Sequence, residues 1–370
     1  MENILVIKIC LLFLSSLLFS VLINRVFLKF SKNLGIRNID DKVIRWSTTS
    51  KPAFGGISFF IVFLLVLTQY PIYFSSYELP FDLQLIGIVA ASSIGFLAGL
   101  TDDAYNTNPL FKSLSQAICA IILIATGTII ELFDSTIINY AITFLWVVGM
   151  MNSINMLDNM DGITTIASIF ALLAMLTVLL FDKSFSSVYF VLMIGMIGAL
   201  LGFLFFNWHP SKMYMGDTGS QFLGISLAAL SIIFLWNFKP ANQEPIFTQQ
   251  IILPLLAFLV PISDTTTVVI NRIKRGSSPF VGGKDHTTHH LSYLGFSDQS
   301  VAFIIGGLGL ISTVVVLVAI AITKWTHLFT ILFTLYILTV FLSLFLVCRM
   351  NNSNTKTKNE PKERQLNKTA

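Results

Sequence analysis

The chain has 370 residues, of which 55% are hydrophobic and 11% are charged, and its formal net charge is +4. A soluble domain of this length would have to expose long runs of Leu, Ile and Phe to water, and a mean hydropathy of +0.79 excludes that class. We therefore predict an all-α polytopic integral membrane protein that binds no nucleic acid.

Eleven apolar segments are candidate membrane spans, because about 20 apolar residues cross a bilayer as a helix. In chain order they are residues 4–28, 54–74, 83–100, 114–130, 137–151, 163–181, 188–206, 222–238, 251–270, 301–322 and 326–347, of which the fifth is the shortest. The first could be a signal peptide, but Glu2 replaces the usual basic start, so an uncleaved span is expected. The sequence thus predicts about 10 to 11 transmembrane helices.

The basic residues predict the orientation of these helices. If the N-terminus lies outside, every Lys and Arg falls on the inner side except Lys8, Lys183, Lys239 and Lys324. Positive charge concentrates on the cytoplasmic side of membranes, so the C-terminus and the inner loops are predicted to be cytoplasmic. Residues 1–349 would form the transmembrane domain, and residues 350–370 a polar cytoplasmic tail that is predicted to be disordered.

Polar residues gather in the loops that the charge pattern assigns to the cytoplasm. These loops contain Asp102 and Asp103, residues 152–162, residues 206–219 and residues 264–290, and the outer loops contain nothing comparable. The topology and the polar pattern are independent observations that agree on one face. Together they predict an active site at the cytoplasmic surface.

Five carboxylates would crowd such a site: Asp102, Asp103, Asp158, Asp161 and Asp217. Bare anions a few ångströms apart raise each other's pKa, so a cation is expected among them. Oxygen ligands without clustered cysteines favour Mg²⁺, or Mn²⁺. Magnesium commonly binds through one or two carboxylates while substrate phosphates fill its other positions.

Neutral and basic groups complete the pattern. Asn152, Asn155 and Asn207 offer amides suited to a sugar or a base, and the turn at residues 216–219 lets the backbone approach a phosphate. Positive charge for a diphosphate comes from the loop that holds Arg272, Lys284, His286, His289 and His290. These residues predict phosphoryl transfer at a membrane surface.

Four motifs occur in order between about residues 35 and 291. They are Gly99-Leu-Thr-Asp102-Asp103; Asn152-x-x-Asn155-x-x-Asp158-x-x-Asp161-Gly162; Phe206-Asn207-x-x-Pro210 with Met215-Gly216-Asp217-Thr218-Gly219-Ser220; and Pro261-Ile-x-Asp264-Thr265 with Arg272, Gly276-x-Ser278-Pro279-Phe280 and His289-His290. Together they resemble the motifs of the polyprenyl-phosphate N-acetylhexosamine-1-phosphate transferases. Members of that family have ten or eleven transmembrane helices and move a sugar 1-phosphate from a UDP-sugar donor to a polyprenyl phosphate lipid, with release of UMP.

The resemblance implies a role for each matching residue. Asp217 would bind magnesium, and Asp102 would be the base or the partner of the lipid phosphate, with Asp103 beside it. The remaining assignments are Asn152, Asn155 and Asp158 at the diphosphate and metal, Asp161, Asn207 and Tyr214 at the uracil, and Arg272, His289 and His290 on the last long loop. The resemblance further implies the bacterial inner membrane, and a homodimer is compatible with it.

One departure from the family pattern concerns the histidines. Relatives show His-x-His-His, whereas here His286 comes one residue early before His289 and His290, so its role is left open. The loop also lacks the Pro-x-His-His-His run of the muramoyl-pentapeptide branch. This favours a donor such as UDP-N-acetylglucosamine, with a phospho-N-acetylmuramoyl-pentapeptide transferase as the alternative.

Other interpretations compete with this one. A cation-coupled transporter should place its ionisable residues near the bilayer midplane in related halves, whereas here they cluster at one surface. A CDP-alcohol phosphotransferase would need Asp-Gly-x-x-Ala-Arg, but Asp161-Gly162 continues as Ile-Thr-Thr. For single residues, Asp102 and Asp103 could cap a helix, Tyr214 could be an interfacial anchor, and topology alone would explain Lys112.

Overall fold

The computed structural model describes residues 2–31, 51–74, 82–240, 243–278 and 282–366. Within these ranges the chain forms thirteen α-helices and no β-strand. They are α1 (Glu2–Ser31), α2 (Gly55–Tyr73), α3 (Leu83–Tyr105), α4 (Pro109–Ala125), α5 (Thr136–Leu157), α6 (Ile163–Phe181), α7 (Val188–Asn207), α8 (Gly216–Ser231, continued by a π-helical turn Ile232–Trp236), α9 (Phe247–Ala257), α10 (Leu259–Lys274), α11 (Thr287–Tyr293), α12 (Asp298–Ala321) and α13 (His327–Leu366).

The predicted all-α polytopic membrane fold is confirmed. Among the described residues, nine helices are long and apolar enough to cross a membrane, and α9 and α10, which meet at an 80° bend, form either a broken span or a re-entrant loop. The fourth predicted segment, residues 114–130, is the shorter apolar helix α4, which begins earlier and ends at Ala125. Helix α13 runs through the predicted boundary at residue 349, and the division into a domain and a tail stays a prediction.

Several helices extend further at one end than the apolar runs indicated. Helix α5 continues through Asn152 and Asn155 to Leu157, and α8 begins at Gly216, six residues before the predicted segment at Phe222. Hydropathy marks only the part of a helix that lies in hydrocarbon, whereas the polar end turns keep the same backbone hydrogen bonds. The polar motifs therefore lie largely on helix ends and less on loops.

A tight turn joins α3 to α4. Helix α3 ends at Tyr105 and is capped by Asn106, whose φ of 52° is left-handed. Helix α4 begins after Asn108, whose side chain accepts a hydrogen bond from the Phe111 backbone N–H. Pro109 occupies the first turn of α4, where a missing N–H costs nothing. The turn brings the end of α3, with its two adjacent aspartates, beside the start of α4.

Helix α8 is the most buried of the candidate spans. Two glycines let neighbouring helices approach its first turn. A Cβ at Gly56 of α2 would lie 2.2 Å from the Gly219 nitrogen, and one at Gly99 of α3 would lie 2.3 Å from the Asp217 carbonyl oxygen. Only glycine permits such close packing of helix backbones, and this packing holds α2 and α3 against the start of α8.

The order of the helices places the polar ends together. Successive long helices run in alternating directions, so the C-terminal ends of α3, α5 and α7 meet the N-terminal ends of α4, α6 and α8. Three hydrogen bonds join these ends. The Thr218 backbone N–H donates to Asp103, the Asn155 amide donates to Asp217, and the Gly162 backbone N–H donates to Asn207. The motifs thus share one end of the helix bundle.

Candidate active site

Lys112 lies at the centre of the polar end. Its Nζ is 3.1 Å from Asp217 Oδ1, 3.0 Å from Asn155 Oδ1 and 3.6 Å from Asp102 Oδ2. Asn155 also donates to Asp217 Oδ1 at 2.5 Å. We call Lys112, Asn155 and Asp217 the charged layer; they come from α4, α5 and α8. The sequence alone left the role of Lys112 open, because a phosphate-binding lysine and a lysine at a cytoplasmic helix boundary produce the same signal.

Asp102 is held on one side only. Its Oδ1 accepts hydrogen bonds from the Thr107 backbone N–H at 2.9 Å and from the Thr107 hydroxyl at 2.5 Å. Its Oδ2 faces the ammonium group of Lys112. One oxygen is therefore fixed by the α3–α4 turn, and the other points to the shared cation, which is the geometry needed for a carboxylate that contacts a phosphate or a metal beside Asp217.

Asp103, unlike Asp102, is hydrogen-bonded to the start of α8. Its carboxylate accepts from the backbone N–H groups of Asp217 at 3.1 Å and Thr218 at 2.9 Å, and from the Thr218 hydroxyl at 2.7 Å. It thereby caps the N-terminus of α8 from another helix. Gly216 has a φ of 73°, and a Cβ there would lie 2.4 Å from Asp103 Oδ2. Asp103 thus positions Asp217, and its predicted direct catalytic contact stays a prediction.

Asp158 follows the last turn of α5. Burial, then the negative charges of Asp217, Asp103 and Asp161, raise its pKa to about 8. Among the described residues no group donates a hydrogen bond to its carboxyl group. Asp158 is therefore a carboxyl group that is protonated near neutral pH in the absence of a cation, and whose ionised form becomes favourable when positive charge approaches.

Asp161 belongs to a second cluster. It accepts from the Ser211 backbone N–H at 2.9 Å and the Ser211 hydroxyl at 2.7 Å, and it lies 3.0 Å from His209 Nδ1. Lys51 Nζ is 3.7 Å from Asp161 and 5.1 Å from the ring centroid of Tyr214. The structure thus brings Asp161 and Tyr214 together around Lys51, as expected for two residues that share a ligand. His209, to which the sequence assigned no role, is a third member.

Asn207 lies beneath this cluster and is buried. Its Oδ1 accepts from the Gly162 backbone N–H at 3.1 Å and from Thr165 Oγ1 at 2.9 Å, and its Nδ2 donates to the Met213 carbonyl oxygen at 3.0 Å. These bonds hold the α7–α8 connection against the start of α6. Contact between Asn207 and a uracil stays a prediction, and the structure shows its amide engaged within the fold.

The last predicted segment is anchored to α10. Arg272 donates from Nε to Asp285 Oδ2 at 3.0 Å and from a terminal nitrogen to Asp285 Oδ1 at 2.7 Å. Asp264, fully buried, lies 2.7 Å from His286 Nδ1 and accepts from the Thr287 backbone N–H at 2.7 Å. His286, whose role was open, thus links the start of α11 to α10. The motif residues Pro279 and Phe280 lie outside the described residues.

Helix α11 carries His289 and His290 towards the carboxylate segment. Thr288 Oγ1 donates to Asn159 Oδ1 at 2.7 Å, between Asp158 and Asp161. Burial lowers the pKa of both histidines, to about 4 for His289. They are therefore neutral at pH 7. A neutral imidazole can donate and accept hydrogen bonds but brings no positive charge, which differs from the charge supply that the sequence interpretation gave to this loop.

The oxygen-rich centre fits a hard divalent cation. Among the described residues no group of three or more His, Cys, Asp or Glu side chains forms a ready ligand set. The two carboxylates of Asp102 and Asp217 flank the same positive group, and magnesium characteristically uses one or two carboxylates together with substrate phosphates. The donor set therefore suits magnesium bound with a phosphate-bearing substrate.

The chain combines eleven apolar segments with a cluster of carboxylates around one lysine at one end of the helix bundle. This combination defines a polytopic membrane protein with an acidic site at one face. Residues 85–235 match the model of glycosyl transferase family 4. The matched part spans α3 to α8 and contains the whole charged layer, whereas Asp264 to His290 lie beyond it.

Named relatives resemble the chain over different lengths. A Bacillus subtilis (strain 168) protein named a probable undecaprenyl-phosphate N-acetylglucosaminyl 1-phosphate transferase is 28% identical over 353 residues, 91% of each chain. The decaprenyl-phosphate N-acetylglucosaminephosphotransferase of Mycobacterium tuberculosis (strain H37Rv) is 28% identical over 287 residues, 70% of this chain and 69% of that protein. A phospho-N-acetylmuramoyl-pentapeptide-transferase of Leptospira biflexa is 30% identical over 136 residues, only 36% of this chain and 32% of that protein.

Proposed function

We propose that this protein is a phosphotransferase that moves an N-acetylhexosamine 1-phosphate, with N-acetylglucosamine as the sugar, from a UDP-sugar to undecaprenyl or another polyprenyl phosphate, and releases UMP. This would be the first membrane step of a cell-surface polysaccharide or cell-wall polymer. The observation that carries the proposal is the sharing of Lys112 by Asp102 and Asp217, within the stretch that matches glycosyl transferase family 4. The relative that matches 91% of the chain is named for this reaction.

The site divides the reaction between its residues. Lys112 attracts the donor diphosphate, and Asp102 orients the acceptor phosphate at the end of α3. An acceptor oxygen attacks the phosphorus attached to the sugar oxygen, the bond from that phosphorus to the bridging oxygen breaks, and UMP leaves with the electron pair. Magnesium, or manganese, when bound at Asp217 would neutralise charge on the diphosphate. Positioning and charge neutralisation then supply most of the rate.

The uridine is assigned to the second cluster. The Tyr214 ring offers a face for stacking, Lys51 lies over that ring, and Asp161 is held beside both. Since these groups lie at the same end as the charged layer, one nucleotide sugar could reach both. We assign this end to the cytoplasm, in agreement with the distribution of Lys and Arg, and the membrane to the bacterial inner membrane. A homodimer is the proposed assembly.

Turnover by the purified full-length protein tests the proposal. With UDP-N-acetylglucosamine, undecaprenyl phosphate and magnesium, we expect UMP and a lipid-linked sugar diphosphate in equal amounts. UDP-N-acetylmuramoyl-pentapeptide, the donor of the alternative phospho-N-acetylmuramoyl-pentapeptide transferase, should give neither UMP nor the lipid-linked product. Faster turnover of the muramoyl donor would reverse the assignment of the sugar. Absence of UMP with either donor would overturn the reaction class.

A further inference from the structure

Three amide side chains, two of them buried and that of Asn152 half-buried, form a connected group beneath the charged layer. Gln116 of α4 donates from Nε2 to Asn152 Oδ1 of α5 at 3.3 Å and to Gln221 Oε1 of α8 at 3.2 Å. Asn152 donates in return to Gln116 Oε1 at 2.8 Å. Gln116 and Gln221 are each 1% exposed. We call Gln116, Asn152 and Gln221 the amide layer.

The amide layer repeats the charged layer one helical turn deeper. Gln116 comes four residues after Lys112, Gln221 four residues after Asp217, and Asn152 three residues before Asn155. Residues three or four apart share a helix face, and one turn advances about 5.4 Å along the axis. Each of the three helices therefore contributes one residue to the charged layer and one residue directly behind it.

Amides are a costly choice at this depth. Amides at this depth must find hydrogen-bond partners or lose free energy, whereas leucines would pack without that requirement. Amides form directional hydrogen bonds, and such a bond between two helices fixes their rotation and axial position relative to one another. Buried polar residues are known to specify helix register in this way. The charged layer depends on such register, since Lys112 must reach groups on two other helices at about 3 Å.

We propose that the amide layer is a positioning device for the proposed transfer reaction, on which this inference rests. Gln116 and Gln221 hold α4, α5 and α8 in the register that sets Lys112 against Asp217 and Asn155. Asn152 acts through these neighbours, and direct substrate contact is not its main role. The layer is not saturated, because Gln221 Nε2 is buried without a hydrogen-bond partner among the described residues.

Methionine substitutions test the layer, because methionine keeps much of the shape of glutamine and lacks its hydrogen-bonding groups. In Gln116→Met and Gln221→Met we expect kcat to fall about tenfold to a hundredfold, the range that a displacement near 1 Å produces. KM for UDP-N-acetylglucosamine should change less than about threefold. The double variant should be no slower than Gln116→Met, because removing the Gln116 amide already breaks all three hydrogen bonds of the layer.

A matched control removes a hydrogen bond of similar kind elsewhere on α8. Ser92 of α3 and Ser226 of α8 are both buried, and their hydroxyl groups are 3.0 Å apart. The double variant Ser92→Ala/Ser226→Ala should keep kcat within about twofold of the wild type. Melting temperatures of all variants identify any that fail to fold, and Gln221→Met, which breaks one bond only, is the milder test if Gln116→Met does not fold.

A second measurement is independent of turnover. Acetic anhydride labels exposed lysines, and peptide mass spectrometry gives the labelled fraction of Lys112, which is partly exposed and held by Asp217 and Asn155. Labelling should increase in both methionine variants and stay unchanged in the serine control. Wild-type labelling in both variants would overturn the positioning role whether or not the protein is active. A wild-type kcat in both single methionine variants would also overturn it. So would a double variant whose loss of kcat equals the product of the two single losses. An inactive wild type would instead overturn the proposed function and leave the labelling result to decide on the amide layer.

Discussion

Two clusters of charged side chains lie at the same end of the bundle and are built differently. Around Lys112, one ammonium group serves Asp217 at 3.1 Å and Asp102 at 3.6 Å. At the end of α10, Arg272 donates two hydrogen bonds of 3.0 and 2.7 Å to Asp285. The first cluster, around Lys112, has more negative than positive charge, whereas the pair of Arg272 and Asp285 is balanced.

The imbalance indicates which cluster meets the substrate. Burial alone would raise the pKa of Asp285, but the hydrogen bonds and charge of Arg272 hold it below its usual value. Asp158, beside the first cluster, instead has a pKa raised to about 8 by burial and by neighbouring carboxylates. A cation and a phosphate substrate can complete a cluster that lacks positive charge, whereas a balanced pair gains little from them. The two clusters should therefore respond in opposite ways to substitution.

The largest effect is expected from Asp217→Asn, which removes one charge from the unbalanced cluster. Loss of a metal ligand should cost several kcal/mol of charge stabilisation in the transition state, about a thousandfold or more in UMP release. The melting temperature should change little, because Asp217 is close to other carboxylates whose repulsion is relieved. Near wild-type turnover at saturating magnesium would remove Asp217 from the metal site.

Charge reversal tests the balanced pair. Arg272→Glu or Asp285→Arg alone should destabilise the protein by about 3–5 kcal/mol, because each leaves an uncompensated buried charge. The double variant Arg272→Glu/Asp285→Arg should recover most of the unfolding free energy and most of the activity. A double variant that is stable but inactive would show that Arg272 contacts the substrate, as the family resemblance implies, and that the division into a reactive and a structural cluster is wrong.

Asp102→Asn sharpens the comparison within the first cluster. We expect kcat to fall about a hundredfold, the lower end for a general base, while binding of the UDP-sugar changes little, because Asp102 is assigned to the acceptor phosphate. Steady-state kinetics with both substrates varied gives the effect on kcat, and calorimetric titration of the nucleotide sugar gives the effect on its binding. Loss of nucleotide-sugar binding in proportion to kcat would move Asp102 to the donor site.

A smaller, pH-dependent effect follows from Asp158. Its raised pKa means that the carboxyl group holds a proton below a pH of about 8 and is ionised above it, so stability from this group is present at low pH and is lost as the pH rises through about 8. If the ionised form is needed, kcat/KM should rise by up to tenfold per pH unit towards pH 8 and level off above it. Added magnesium should move this rise to lower pH, since positive charge favours ionisation. An identical rise in Asp158→Asn would assign it to another group.

The sequence predicted the membrane fold well because lipid demands long apolar runs, and such runs are visible without an alignment. It underestimated the polar helix ends, such as the last two turns of α5, because hydropathy falls where the helix leaves hydrocarbon although the helix continues. Motif spacing identified Asp102, Asn155 and Asp217, which the structure brings together around one ammonium group.

What the sequence could not show is how each polar group uses its hydrogen bonds. Asp102 and Asp103 are adjacent and chemically alike, yet only the first faces Lys112 and the second caps α8. From the sequence, Asn207 could equally be an amide that binds a base or one that joins two parts of the fold. Its three hydrogen bonds within the fold are visible only in the three-dimensional structure. The same holds for Gln116, which belongs to no recognised motif.

The smallest effect is expected at Tyr214, in the cluster assigned to uridine. Tyr214→Ala should raise KM for the UDP-sugar by about tenfold, within the range of one lost stacking contact, and should leave kcat nearly unchanged. Tyr214→Phe should stay within about twofold, because stacking needs the ring and not the hydroxyl group. Measured KM values for both variants at saturating acceptor provide the check.

Lys51 provides the control for this last prediction, because its ammonium group lies 5.1 Å from the Tyr214 ring centroid and 3.7 Å from Asp161. Lys51→Met removes the charge and keeps the ring, so a stacking role predicts that Tyr214→Ala still raises KM in the Lys51→Met background. Equal defects in Tyr214→Ala and Tyr214→Phe would mean that the hydroxyl group matters. An unchanged KM in Tyr214→Ala would return this tyrosine to the interpretation as an interfacial anchor, and the uridine would then have to bind elsewhere at this end of the bundle.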